Sequence, residues 1–282
     1  MLLKELQSLY KELLLNQGDE VDPTQWCALF KDETGSGVSV YNQEDAHEYL
    51  SKFLSRMDNA LQYTDHPTLI SELFEGEISD KLKCPNCGII RDKRTPFTNI
   101  SLDSSDQGTL LQSIHQFSTP EVISDYKCEK CNQRVDIEKT SCIVRIPTYF
   151  IIQLKLFEFD YIYMRRRKLK PTFSFPMSVD FSTCIPSSTS SAYSLKGTVM
   201  HMGSADSGHY YSFIRDDEQE GGNWNEFNDE CVTPQDKESM RNGFENNNMS
   251  ARVFVFPRFD LAILSDTLSS FLRESIRSVV PY

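Results

Sequence analysis

Two Cys-x-x-Cys pairs, KCPNCG with Cys84 and Cys87 and KCEKCN with Cys128 and Cys131, constrain this chain more than any other feature. Each pair places two thiolates on one tight turn, the spacing of two corners of a tetrahedral zinc site. Two such knuckles complete the tetrahedron. Each is followed by a residue, Gly88 or Asn132, that tolerates the unusual backbone such turns need. The expectation is one structural Zn²⁺ held by Cys84, Cys87, Cys128 and Cys131, with no open position for a substrate and no catalytic metal. Unrelated buried thiols explain a doubled motif poorly, and a redox Cys-x-x-Cys needs no second copy. Zinc ribbons also occur in nucleic-acid binders, so the metal alone does not fix the function.

The start, MLLKELQSLYKELLL, carries charge among its leucines and lacks the order of a secretory signal. Together with the paired thiols this reads as a reducing setting, cytoplasmic and/or nuclear. The net charge of −12, from 41 acidic and 29 basic side chains, argues against sequence-independent binding to nucleic acid. It suits a basic protein partner. No apolar run reaches the roughly 18 residues of a membrane span, so none is expected.

Apolar residues at Leu2, Leu6, Leu9 and Leu13 predict a helix over 2–15. PTQWCALF predicts a second, with Trp26, Leu29 and Phe30 inward. QEDAHEYLSKFLSRMDNAL predicts the strongest, with Ala46, Tyr49, Leu50, Phe53, Leu54, Met57 and Leu61 on one face. From about residue 74 the pattern turns to short strands, interrupted by a helix over about 109–117. In SCIVRIPTYFIIQLKLFEF, Phe150, Ile152, Leu154 and Leu156 share one side, with Gln153 and Lys155 on the other. YSLKGTVMHM, HYYSFIRD, NWNEFND and ARVFVFP read as further strands, and LAILSDTLSSFLRESIRSVV as a last amphipathic helix. Helices early and strands late give an α+β fold.

HMGSADSGHYYSF sets His209 behind a Gly-rich loop that would leave its imidazole at the mouth of a cleft. Histidine is the side chain best matched to proton transfer near neutral pH. Asn228 or Asp229, in NWNEFND, would accept from the other ring nitrogen and hold the tautomer. On that pair alone, a strand-end histidine with a satisfied hydrogen bond is the better reading.

Taken together, YNQEDAHEYLSKFL, SGHYYSFIRD, NWNEFND and YFIIQLKLFEF followed by RKLKPTFSFP resemble the ubiquitin-specific protease domain of the papain-like cysteine deubiquitinases. The resemblance implies a hand-like fold with a helical thumb, an antiparallel β palm and zinc-ribbon-like β fingers. Residues 1–257 would form this domain, incomplete at its N-terminus, with 1–73 a part of the thumb, 74–142 the fingers and 143–257 the palm. Residues 258–282 would add the C-terminal helix. It implies His209 as general base, Asn228 as third catalytic residue and Asp229 as its assisting neighbour. Gln43 and Asp45 would lie beside the tail of ubiquitin. That tail carries arginines, to which Asp45 would offer a charge-assisted hydrogen bond, though capping the following helix would equally explain it. MRRRKLKPTFSFP and HMGSADSG would border the tail channel. Ubiquitin or ubiquitinated proteins are the implied partners.

The family's nucleophile sits in a Gly-Asn-x-Cys segment at a helix N-terminus, which this sequence does not contain. Cys27, Cys142, Cys184 and Cys231 have no such context. The segment is therefore expected upstream of Met1, and the chain as given is expected to be inactive. Three readings compete: a piece of an active deubiquitinase, a non-catalytic ubiquitin-binding or scaffold protein, and a zinc-ribbon nucleic-acid module. The acidic charge disfavours the third. The intact His209, Asn228 and Asp229 favour the first.

Overall fold

The computed structural model describes residues 2–15, 21–31, 45–104, 107–169, 172–185, 192–205, 207–216, 223–236 and 249–258. They fall into two compact units, one up to Ile70 and one from Ser71. The expected C-terminal helix and Gln43 lie outside the described residues.

The first unit is helical: α1 (Leu2–Leu15), α2 (Thr24–Leu29) and α3 (Ala46–Leu61), with α4 (Leu69–Phe74) crossing the boundary. The stripe of α1 is half-buried at Leu2, Leu6 and Leu9 but opens to solvent at Leu13. An aromatic cluster joins α2 to α3. Trp26 packs on Phe30 and Phe53 at 5.7 and 6.0 Å, Phe30 lies 4.9 Å from Tyr49, and Trp26 Nε1 donates to the Tyr49 hydroxyl at 3.3 Å. Offset and edge-on rings of this kind add to simple burial. Trp26 and Phe30 are thus inward as expected, while Leu29 is half-buried.

In the second unit the chain runs β1 (Gly76–Lys83), β2 (Ile90–Phe97), β3 (Ile100–Asp103), β4 (Gln107–Thr109), α5 (Leu110–Phe117), β5 (Glu121–Lys127), β6 (Arg134–Arg145) and β7 (Tyr149–Lys155). It continues as β8 (Phe157–Asp160), β9 (Arg165–Lys168), β10 (Thr172–Ser174), β11 (Ser178–Asp180), β12 (Ala192–Ser194), β13 (Gly197–Gly203), β14 (Gly208–Arg215), β15 (Trp224–Asn228), β16 (Cys231–Gln235) and β17 (Met249–Pro257). Strands β2-β1-β6-β5 form an antiparallel sheet that carries the two cysteine knuckles. Between β2 and β5 the chain leaves this sheet: β3 joins a larger one, ordered β16-β15-β14-β13-β17-β7-β3. Helix α5 begins in a capping box, with Thr109 accepting from Gln112 N and Gln112 returning to Thr109 N. It buries Leu110 and Ile114 against that sheet's core, beside Leu102, Phe150, Ile152, Leu154, Phe181, Phe254 and Phe256.

β7 keeps the expected sides, with Gln153 opposite Phe150 and Ile152, but Gln153 is buried as well. It is 7 % exposed, and Ile151 on the same face is 2 % exposed. β7 is an interior strand, paired with β17 on one side and β3 on the other, and both its faces are covered. The buried amide is satisfied by the Ser101 hydroxyl, which donates to Gln153 Oε1 at 2.7 Å.

Candidate active site

β14 and β15 run antiparallel at one side of the seven-stranded sheet, and their ends bring three predicted residues together. His209 is the second residue of β14 and Asn228 the last of β15. Asn228 pairs with Cys231, so Asp229 opens a two-residue turn into β16. It does so at φ 53°, a conformation that aspartate tolerates better than most side chains. His209 Nε2 lies 2.7 Å from Asn228 Oδ1 and 3.7 Å from Asp229 Oδ2. The Asp229 side chain is 77 % exposed, so solvent screens its carboxylate and the amide is the close partner. With Nε2 engaged, Nδ1 is the nitrogen that remains to exchange a proton.

The glycine before this histidine serves a tight approach. Gly208 pairs with Gly203 at the end of the β13–β14 ladder. A Cβ on Gly208 would stand 2.2 Å from His201 Nε2 and 2.5 Å from the Met202 carbonyl oxygen. His201 is buried, with its ring centroid 5.2 Å from that of Phe157 and 4.8 Å from that of Tyr210, and it has little room to yield. Gly208→Ala should therefore destabilise the fold by about 1–3 kcal/mol and displace His209. Urea unfolding and the His209 ring resonances read the two effects, and an unchanged protein would contradict this packing.

Among the described residues β8 and β9 form a two-stranded hairpin whose tip, Tyr161, Ile162, Tyr163 and Met164, is exposed. Lys168 Nζ ties the hairpin to β13 by donating to the His201 carbonyl at 2.8 Å.

A separate cluster forms at the knuckles. The Sγ atoms of Cys84, Cys87, Cys128 and Cys131 all lie within 4.8 Å of one another. Cys84 and Cys131 are 4.0 Å apart and Cys87 and Cys128 3.8 Å, and none is in a disulfide. A tetrahedron with Zn–S near 2.3 Å places its sulfurs roughly 3.8 Å apart, so the set fits zinc. Gly88 and Asn132 take φ of 68° and 53°, as the turns were expected to need. Gly88 N donates to the Cys84 carbonyl at 3.0 Å, and Asn86 Nδ2 links one knuckle to the other through Gln133 Oε1 at 3.0 Å. The backbone N–H groups of Cys131 and then Lys130 lower the Cys128 thiol, favouring a thiolate, whereas burial raises Cys131.

The family profile of ubiquitin carboxyl-terminal hydrolase matches residues 1–256. The chain belongs to this family. It is 27 % identical over 277 residues to the probable ubiquitin carboxyl-terminal hydrolase FAF of Drosophila melanogaster, covering 88 % of this chain and 10 % of that protein. Ubiquitin carboxyl-terminal hydrolase 26 of Oryza sativa subsp. japonica is 32 % identical over 244 residues, covering 82 % and 22 %. The chain thus spans from about a tenth to about a fifth of these relatives' length. Among solved structures, the SAGA Ubp8/Sgf11/Sus1/Sgf73 DUB module bound to ubiquitin aldehyde matches with a TM-score of 0.68 and 25 % identity, covering 83 % of this chain and 52 % of that one. The α+β class and the ubiquitin-specific-protease fold expected from sequence are those of the molecule.

In this ubiquitin carboxyl-terminal hydrolase chain, Asp45 caps α3: its Oδ1 accepts from His47 N at 2.9 Å and Glu48 N at 3.2 Å. Cys27 sits within α2, Cys142 in β6 and Cys184 after a short 3₁₀ turn, where its thiol donates to the Phe181 carbonyl at 3.4 Å. Cys231 is exposed at the start of β16. Sequence reading missed Glu226 and Gln235. Asn228 Nδ2 donates to Glu226 Oε1 at 3.3 Å, and Gln235 Nε2 donates to Glu226 Oε2 at 3.1 Å. The two-residue period of NWNEFND puts Glu226 and Asn228 on one face of β15, and that was the available signal. Burial, and secondarily the Glu226 charge, push the Tyr211 hydroxyl up to about 12.

Proposed function

We propose that this domain hydrolyses the isopeptide or peptide bond after the C-terminal glycine of ubiquitin. The observation that carries this reading is the 2.7 Å bond between His209 Nε2 and Asn228 Oδ1 within a ubiquitin carboxyl-terminal hydrolase fold. A thiol from a Gly-Asn-x-Cys segment would give its proton to His209 Nδ1 and attack the glycine carbonyl carbon. The imidazolium, held by Asn228 with Asp229 beside it, would return the proton to the leaving amine. Water would then hydrolyse the thioester, with His209 again taking the proton. One structural zinc on Cys84, Cys87, Cys128 and Cys131 would brace the fingers without taking part in the chemistry. The reduced thiols suit the cytoplasm or nucleus, and no helix among the described residues is long and apolar enough to cross a membrane.

Gln43 and Asp45 would flank the ubiquitin tail. Asp45→Asn tests this cleanly, since asparagine caps a helix as well as aspartate does but offers no charge to an arginine. Ubiquitin binding should weaken about tenfold or more, whereas stability should hold. Isothermal titration and thermal unfolding check both. Binding that ignores the substitution would remove Asp45 from the tail site.

A second reading rests on one observation: none of the eight cysteines lies in a Gly-Asn-x-Cys context. On it, the chain binds ubiquitin as a non-catalytic module or scaffold. Tight binding of ubiquitin by a full-length protein that never cleaves its conjugates would establish it.

A further inference from the structure

An asparagine side chain presents two nearly isosteric ends, an oxygen that accepts and an NH₂ that donates. Its use beside a histidine depends on which end faces the ring. If Asn228 turned its NH₂ toward His209, Nε2 would have to accept, and the ring proton would sit on Nδ1. That tautomer could not take a proton at Nδ1. Something must choose the end.

We infer that Glu226 is a positioning residue that fixes the tautomer of His209 through Asn228; this rests on the catalytic reading of His209 above. A carboxylate only accepts hydrogen bonds. Glu226 Oε1, 3.3 Å from Asn228 Nδ2, therefore draws the NH₂ end and leaves Oδ1 to His209 Nε2 at 2.7 Å. An acceptor at Nε2 requires a proton there, which leaves the lone pair on Nδ1. Glu226 is itself held. Its other oxygen, Oε2, accepts from Gln235 Nε2 at 3.1 Å on the neighbouring strand, so the carboxylate has one donor on each oxygen. The bonds converge on Glu226: Gln235 donates to it from one side and Asn228 from the other, with His209 donating to Asn228 in turn. All three contacts are part-buried, where solvent competes less for each donor.

The same arrangement explains why this position suits asparagine in this chain. An aspartate at 228 would place a second carboxylate about as close to Glu226, and two such groups resist ionising together. Asn228→Asp should therefore cost much more beside Glu226 than beside a neutral neighbour.

The test is nitrogen NMR of the His209 ring in the 282-residue chain, at a pH high enough that its ring resonances no longer move with pH. Wild type should show one neutral form, protonated at Nε2 with a pyridine-like resonance at Nδ1. Glu226→Gln has the same shape but can donate as well as accept, so the amide of Asn228 is freed to flip. Both ring nitrogens should then shift toward averaged positions, with the backbone spectrum unchanged. A wild-type pattern retained in Glu226→Gln would overturn the inference, as would an Nδ1-protonated ring in wild type. A second measurement guards against a damaged fold: thermal unfolding of Asn228→Asp, Glu226→Gln and the double variant. The midpoint lost in Asn228→Asp should be largely recovered in the double variant, and additive losses would count against the coupling. Neither readout needs a thiol or ubiquitin, so both stand whether or not the protein cleaves conjugates.

Discussion

Removing zinc should cost the two cysteine knuckles of the four-stranded sheet their order. The cluster around the four cysteines buries only Val135 and Ile137 besides Cys84 and Cys128, with Leu82, Ile89 and Tyr126 partly covered. So small an apolar group cannot hold two knuckles against chain entropy. A structural zinc contributes on the order of 10 kcal/mol in isolated knuckle peptides, and only part of that is needed here. Metal analysis should find about one zinc per chain. Cys84→Ser, or a strong chelator, should abolish it. Hydrogen exchange should then quicken through 84–89 and 126–137, while the seven-stranded sheet, with its own core, keeps its protection. A zinc-free protein with four reactive thiols and unchanged exchange in those segments would refute the site.

The second large effect is on catalysis. A protein carrying a Gly-Asn-x-Cys segment ahead of residue 2 should cleave ubiquitin conjugates and label with a thiol-directed ubiquitin probe. The 282 residues alone should do neither. In the longer protein His209→Ala should lower the rate by about 10⁴-fold or more, since a triad stripped of its base retains only binding and oxyanion stabilisation. Asn228→Ala should cost less, because Asp229 Oδ2 remains 3.7 Å from Nε2 as a screened second acceptor. Probe labelling of the 282-residue chain at Cys27 or Cys231 would place the nucleophile elsewhere. A longer protein that binds ubiquitin and leaves conjugates intact would favour the non-catalytic reading.

Local pattern was enough where local chemistry decides. The two knuckles, their left-handed Gly88 and Asn132, the cap at Asp45 and the helix ending at Leu61 are set by residues a few positions apart. Motif order also brought His209 to Asn228 across nineteen residues. What escaped depends on neighbours distant in sequence. The burial of Gln153 follows from β17 and β3 on either side of its strand, and no window around it reveals both. The tight seat of Gly208 follows from His201 on the paired strand. Glu226 read as one more acidic residue in an acidic chain, and only its two donors distinguish it.

Strand β17 sits inside the seven-stranded sheet, fifth in the order, although it is made after every other described strand. Among the described strands it is the one that bridges β13 and β7. While residues 249–257 are still to be synthesised, β13 and β7 each present an open edge of hydrogen-bonding groups. The four-stranded sheet, complete by Arg145, can close and bind metal much earlier on the ribosome. A nascent chain therefore carries a finished four-stranded sheet while the larger sheet is still divided, and those two edges stay open until β17 inserts. A chain stopped before residue 249 would keep both edges open and should aggregate more readily than one that includes β17.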